Sequence, residues 1–289
     1  MTPIEYCPIA ELTTFKIGGK ARYLFQPEST EDIIAALRFI KEKDLPYFIL
    51  GEGSNVLVSS SDYHGAVIST LRLDKLKLNP ESITVQSGVV NSTLSEFACD
   101  NSITGFEFLY GMPGTVGGST LMNARAFGRS MSDIILSVTA IDTDFQPKTF
   151  LNSDIGFDYK KSLFQTGDHL IYEVTFSAQR GQQDSINSTM LSNKEKRLST
   201  GQYLFPSAGC VFKNDYNLGE PTGKIIDDLG LKGERVGDAE IYSKHANFII
   251  NHGNATSDDV LALINRIKLR AKQEKNIDLE CEIRFLGPR

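Results

Sequence analysis

Two glycine-rich loops, one cysteine and a few charged residues carry the chemical possibilities of this 289-residue chain. GEGSN occupies 51–55, and GMPGTVGG at 111–118 places four glycines and a proline in eight residues. Glycine lets a backbone approach a ligand closely, and bare amide N–H groups in such a loop can cradle an anion, above all a phosphate. The other reading of 111–118 is a tight surface turn, which the flanking Phe106, Phe108, Leu109, Val116 and Leu121 disfavour. Cys210, between Gly209 and Val211, reads by itself as a small buried hydrophobe; the alternative is a thiol offered to a ligand beside a turn. Lys160-Lys161, Lys213-Asn214 and Lys244-His245-Ala246-Asn247 are either solvated or hold a carboxylate or phosphate. In LECEIRF at 279–285, apolar Leu279, Cys281, Ile283 and Phe285 alternate with Glu280, Glu282 and Arg284. A strand there would bury the first set and present the second together. On pattern alone that charged face is a solvated one.

Short elements must position these groups. The loop 51–55 lies between the apolar runs Tyr47–Leu50 and Val56–Val58, giving strand–loop–strand. A Rossmann dinucleotide fingerprint needs strand, GxGxxG, then helix, and the chain has neither that nor GxxxxGK[ST]. A helix is expected over 29–43, capped by Ser29 or Thr30, with Glu31 and Asp32 at its positive end. Strands are expected at 67–69, 83–87, 134–142, 170–178 and 246–250, and short helices at 93–101 and 222–229. Pro147-Lys148 suggests a turn. The polar stretch 184–197, helical in tendency, reads as a linker between domains. Residues 256–275 read as a helix in which Thr256 and Asp259 make a capping arrangement.

Length alone allows one large domain or two to three small ones. The net charge of −6 gives no electrostatic case for nucleic acid or an anionic membrane. No signal peptide or membrane span is apparent. Cys7, Cys99, Cys210 and Cys281 are dispersed, which suggests free thiols in a reducing compartment, and neither they nor His64, His169, His245 and His252 show metal-ligand spacing.

Taken in order, these stretches resemble the UDP-N-acetylenolpyruvoylglucosamine reductase family over nearly the whole chain. The motifs are TFKIGG at 14–19, LGEGSNVLV at 50–58, GFEFL at 105–109, GMPGTVGG at 111–118 and MNA at 122–124. YKKSLF at 159–164, PSAGCVFKN at 206–214, GKIIDDLGL at 223–231, KHANF at 244–248 and 279–287 complete the set. The resemblance implies an α+β chain with a vanillyl-alcohol-oxidase-like (PCMH-type) FAD-binding module of two subdomains at 1–183. A C-terminal α+β substrate-binding domain would cover 184–276, and a strand at 277–289 would return to the active site.

It also implies non-covalent FAD, NADPH as co-substrate and UDP-N-acetylglucosamine-enolpyruvate as substrate, in a cytoplasmic monomer. Gly51, Glu52, Gly53, Ser54 and Asn55, with Gly111, Pro113, Gly114, Thr115, Gly117 and Gly118, would bind the flavin. The family's proton donor falls at Cys210, where many members carry serine. Its acidic catalytic residue falls at Glu282, which reverses the solvated-face reading, with Arg284 facing the substrate beside it. Lys213 and Asn214 would bind substrate. The family's catalytic arginine falls at Lys160, a departure, because lysine offers a point charge where arginine offers a bidentate fork; Lys161 is the other candidate for that role. Arg125 stands where the family usually has glycine. The chain lacks the extra substrate loop of the longer class. The competing readings are another FAD-dependent oxidoreductase of the superfamily and a non-catalytic FAD- or UDP-sugar-binding protein.

Overall fold

A computed structural model describes residues 1–287; Pro288 and Arg289, the end of the expected 277–289 segment, lie outside the described residues. The chain divides into two compact units interleaved in sequence. The first comprises Met1–Ile4, Tyr23–Glu52 and Ala66–Arg197; the second comprises Glu5–Arg22, Gly53–Gly65 and the chain from Leu198 onward.

The first unit is built on an antiparallel sheet ordered Pro147–Leu151, Ile135–Ile141, Leu170–Ser177, Ser82–Gln86, Leu76–Leu78. Alternate residues Ile83, Val85, Val138, Ala140, Val174 and Phe176 are fully buried, as a strand with one covered face requires. They share a core with Leu94 and Ala98 of helix Asn91–Asp100 and Val116 of helix Val116–Leu121. The turn expected at Pro147 lies earlier: Asp142 Oδ1 accepts from Asp144 and Gln146 N–H, and Pro147 opens the strand. A second core forms under helix Thr30–Glu42. Its cap is the expected Ser29, whose hydroxyl accepts from Asp32 N–H, and Ile33, Ala36, Leu37 and Ile40 are buried. Tyr47–Leu50 runs parallel to the strand that ends at Ser69.

The helical tendency expected at 184–197 is present, and the helix closes the first unit just before the second resumes at Leu198. Helix Gln183–Ser199 buries Ile186 and Met190 against Cys99. Its Asn193 Nδ2 donates to Glu107 O, and its Arg197 Nη2 donates to Phe108 O at 2.7 Å. Ile186 and Met190, at i and i+4, lie on one face of an otherwise polar helix, and the two hydrogen bonds complete its seating.

The second unit is an antiparallel sheet ordered Ser207–Cys210, Phe248–Asn251, Ala239–Ile241, Arg235–Val236. One face, with Ala208, Ala239, Ile241 and Ile249, packs on helices Thr222–Asp228 and Ser257–Lys275. The expected Thr256–Asp259 capping box closes the start of the long helix. Residues from 5–22 and 53–65 belong to this core through Phe15, Ile17 and Leu57. The expected single strand at 279–285 changes partner midway. Cys281 bridges antiparallel to Phe212, and Arg284–Leu286 then pairs in parallel with Val56–Val58. The inward set is as the alternation indicates: Leu279 and Ile283 are buried, and Cys281 and Phe285 pack against the core.

Candidate active site

Within the first unit the two glycine-rich loops are laced together. Glu52 Oε2 accepts a hydrogen bond from Gly114 N–H. A Cβ on Gly51 would fall 2.4 Å from Thr115 Oγ1, so the loops meet at a distance only glycine allows. The second loop does not present a row of bare amides, contrary to expectation. Gly111 N–H donates to Ser92 Oγ, Gly117 N–H to Ser87 O, and Gly118 N–H to Thr115 Oγ1. Thr115 caps the Val116–Leu121 helix, in which Gly118 is exposed while its neighbours are buried.

The 51–55 loop is different. Its carbonyls are engaged: Gly53 O accepts from Thr14 Oγ1, and Asn55 O accepts from Arg284 N–H. Among the described residues, the N–H groups of Gly51, Glu52 and Gly53 donate to no protein acceptor. Gly53 is buried, and buried backbone donors are nearly always paired. Consecutive donors of this kind suit a phosphate. Gly53 has φ +65, and a Cβ there would lie 2.8 Å from Leu12 O, so this position admits no side chain.

The Gly-loop helix leads to Asn123, at φ 41. Its Nδ2 donates to Asp158 O, and its Oδ1 accepts from Ser132 N–H. Asp158 and Lys161 exchange backbone hydrogen bonds around a two-residue turn. Lys160 occupies that turn at φ 54, a region costly for a residue with a Cβ. Gln165 Nε2 donates to Lys160 O, and Ser162 Oγ donates to Leu121 O at 2.7 Å. Lys160 is half-buried and Lys161 is exposed, so the turn presents the two lysines differently. Arg125 is exposed on a short hairpin, Arg125–Ala126 with Arg129–Ser130.

In the second unit Cys210 ends a bulged strand. The register slips between Ser207 and Cys210, and Gly209 takes φ +76 inside the bulge. A bulge re-aims the side chain that follows it. Cys210 is half-buried. Asn247, which the sequence reading left ambiguous, clamps the next residues: its Oδ1 accepts from Phe212 N–H and its Nδ2 donates to Phe212 O. Glu282 N–H donates to Val211 O at 2.8 Å. Asn55 Nδ2 donates to Glu282 O, and a Cβ on Gly209 would stand 3.8 Å from Ser54 O. The backbone thus stitches Ser54-Asn55, Cys210-Val211 and Glu282–Arg284 into one cluster. Glu282 and Arg284 are half-buried, and burial pulls the Arg284 guanidinium below its ordinary value, though it stays charged at neutral pH.

The other expected substrate contacts hold protein groups. Lys213 Nζ pairs with Glu280 Oε1 at 2.6 Å. Asn214 Oδ1 accepts from Thr222 N–H at the start of a helix. The side-chain work of Glu52, Asn123 and Asn247 went unread in the sequence, because each has a partner 35 to 62 residues away. The one available signal was that each polar residue lies within a glycine- or apolar-rich motif.

Residues 21–144 match the family described as FAD binding domain, and residues 201–286 match the C-terminal domain of UDP-N-acetylenolpyruvoylglucosamine reductase. The chain is 35% identical to the UDP-N-acetylenolpyruvoylglucosamine reductase of Clostridium kluyveri over 97% of its length and 91% of the relative's. It is 38% identical to that of Caldicellulosiruptor bescii, over 97% and 89%. The crystal structure of UDP-N-acetylenolpyruvylglucosamine reductase from Thermus caldophilus superposes with a TM-score of 0.83 at 32% identity, covering 99% of this chain and 98% of that one. The architecture is the expected PCMH-type FAD-binding module with a C-terminal α+β domain. With both domains matched and the relatives covered almost end to end, the chain belongs to the UDP-N-acetylenolpyruvoylglucosamine reductase family, FAD-containing oxidoreductases of peptidoglycan precursor synthesis.

Proposed function

We propose that the chain reduces the enolpyruvyl group of UDP-N-acetylglucosamine-enolpyruvate to the lactyl ether of UDP-N-acetylmuramate, with NADPH as the source of reducing equivalents. The observation that carries this reading is the stitched cluster of Ser54-Asn55, Cys210 and Glu282. It joins a flavin-loop segment to a proton donor and an acid. The residues present fit FAD: the unengaged N–H groups of Gly51, Glu52 and Gly53 would hold its pyrophosphate, and the exposed Gly118 would let it approach the backbone. When bound, FAD supplies the hydride for the enolpyruvyl double bond.

Cys210 is the proposed proton donor to the carbon that does not receive hydride. A thiol, with an ordinary value of about 8.5, is a far stronger acid than an alcohol and stays protonated near neutrality. Glu282 is the proposed acidic residue and Arg284 a substrate contact. Lys160 is the proposed charge for the substrate carboxylate, stabilising the extra negative charge that collects there after hydride addition; its half-buried position supports it over Lys161. Among the described residues no helix is long and apolar enough to cross a membrane; a cytoplasmic monomer is proposed.

The test is anaerobic. NADPH should bleach the flavin of the purified protein, and UDP-N-acetylglucosamine-enolpyruvate should restore its oxidised spectrum. Bleaching without return would remove this substrate from the reading.

A further inference from the structure

The turn that carries Lys160 is tied to the glycine-loop helix by a side chain with no role above. Gln165 Nε2 donates to Lys160 O at 2.9 Å and to Leu121 O at 3.1 Å. A primary amide nitrogen has two hydrogens, so these bonds use both. The same nitrogen lies 3.5 Å from Met122 Sδ, and Gln165 N–H donates to Ser162 O. The residue is half-buried. Its amide has no proton left for a substrate, so it acts through Lys160 and Leu121.

Leu121 ends the Val116–Leu121 helix, and the last carbonyls of a helix have no partner within it. Leu121 O accepts from both Ser162 Oγ and Gln165 Nε2. Just beyond, Asn123 Nδ2 donates to Asp158 O, at the start of the lysine turn. The turn is therefore pinned at Asp158 and at Lys160 to one short segment, 121–123. The same helix presents the exposed Gly118. One element thus fixes the main chain of the lysine relative to the place proposed for the flavin.

Lys160 needs this hold for two reasons. At φ 54 its backbone lies where a residue with a Cβ is strained, and such a conformation persists only when its surroundings over-determine it. A lysine also carries its charge on a flexible four-carbon stem and lacks the fork by which arginine orients itself on a carboxylate. The protein sets the position of the ammonium chiefly by fixing where that stem begins. We propose that Gln165 is a positioning residue for Lys160: its amide holds the strained turn where the ammonium can meet the charge that collects on the substrate carboxylate. This rests on the reading of Lys160 as the charge for that carboxylate. No bond of Gln165 itself is made or broken in the reaction.

The test uses the FAD-loaded full chain as wild type, Gln165→Met, Lys160→Ala and the double variant. Methionine nearly matches glutamine in length and donates to neither carbonyl. Stopped-flow absorbance follows bleaching by NADPH, then reoxidation across concentrations of UDP-N-acetylglucosamine-enolpyruvate. Gln165→Met should leave bleaching nearly unchanged and lower the limiting rate of reoxidation about tenfold, within the range that a misplaced group costs. In the Lys160→Ala background the same change should cost less than about twofold, because the group it positions is gone. A glutamine that merely supports the fold would slow both backgrounds equally, and that result overturns the proposal. So does full-rate reoxidation by Gln165→Met while Lys160→Ala is slow. Full-rate reoxidation by Lys160→Ala would instead remove the lysine reading, and this proposal with it. If Gln165→Met does not load FAD, Gln165→Glu keeps the shape and, ionised, offers neither carbonyl a proton. It should show the same loss, and full-rate reoxidation again overturns the proposal.

Discussion

Replacing Gly51 with alanine tests whether the two loops are spaced by direct contact. The added methyl would lie 2.4 Å from Thr115 Oγ1 and 3.3 Å from Thr115 Cγ2, both well inside van der Waals contact. Gly51 does not occupy a left-handed conformation, so crowding alone sets the cost. Overpacking of this kind costs about 1–3 kcal/mol, and in a chain of this size each kcal/mol moves the melting temperature by about 2–4 °C. Gly51→Ala should therefore melt roughly 2–12 °C below wild type. Thr115→Ala removes the obstructing oxygen and a weak helix cap, the latter worth about 1 kcal/mol. In the double variant the methyl enters the space that Thr115 vacates, so the two costs should fall short of their sum by more than about 0.5 kcal/mol. The assay is thermal unfolding of the four proteins with and without FAD. Strict additivity would refute the contact. Gly53→Ala is the control: its methyl meets the main chain at Leu12 and Thr13 at φ +65, and no side-chain deletion should rescue it.

Other outcomes follow from the same geometry. Cys210→Ala should leave bleaching by NADPH nearly unchanged and slow reoxidation by substrate by about 10²–10⁴-fold, the usual weight of a positioned general acid. Lys160→Ala should cost far more turnover than flavin content, while Lys161→Ala, on the exposed side of the turn, should cost little of either; equal losses would remove Lys160 from its role. Burial pulls the Glu240 carboxyl up, but hydrogen bonds from His252 and Arg235 outweigh it and hold the group below its ordinary value of 4.5. A depressed carboxyl contributes stability that is present above the ordinary value and lost as pH falls through the folded one. Glu240→Gln should thus cost about 1.5–3 kcal/mol near neutrality, and the melting curves should approach wild type only as pH falls below the ordinary value and through the depressed one.

Local signals carried the helices and most strands. Ser29 and Thr256 cap the elements their sequences indicate, because a cap and an apolar period act within one turn. The unit to which a segment belongs is a long-range matter. Residues 5–22 and 53–65 join the C-terminal part through Thr14 to Ser207 and Arg284 to Asn55, partners that no periodicity names. Gln183–Ser199 looked like a linker because its apolar burial rests on Ile186 and Met190, while Asn193 and Arg197 are held by hydrogen bonds to distant carbonyls. The alternation at 279–285 fixed which residues face inward and left the pairing partner open, since a strand's period is the same beside any neighbour.

The glycines of the two loops are small for different reasons, and separating the causes gives the sharpest test of the proposed flavin site. Gly51 and Gly117 are small because protein atoms crowd them: Thr115 Oγ1 would lie at 2.4 Å and Ser87 Cβ at 2.7 Å. Gly118 has no such neighbour. Its nearest atom is Thr115 Oγ1 at 3.6 Å, an ordinary contact, and it is the exposed residue of its helix segment. Alanine is the better helix former by about 1 kcal/mol, so Gly118→Ala should hold or raise the melting temperature of the flavin-free chain. If this glycine is kept for close approach of the flavin, the same change should weaken FAD binding at least tenfold, the equivalent of about 1.4 kcal/mol. Stability and affinity would then move in opposite directions, which a purely structural glycine cannot produce. Unchanged FAD affinity would assign the helix start to scaffolding and leave the 51–53 amides as the flavin's anchor.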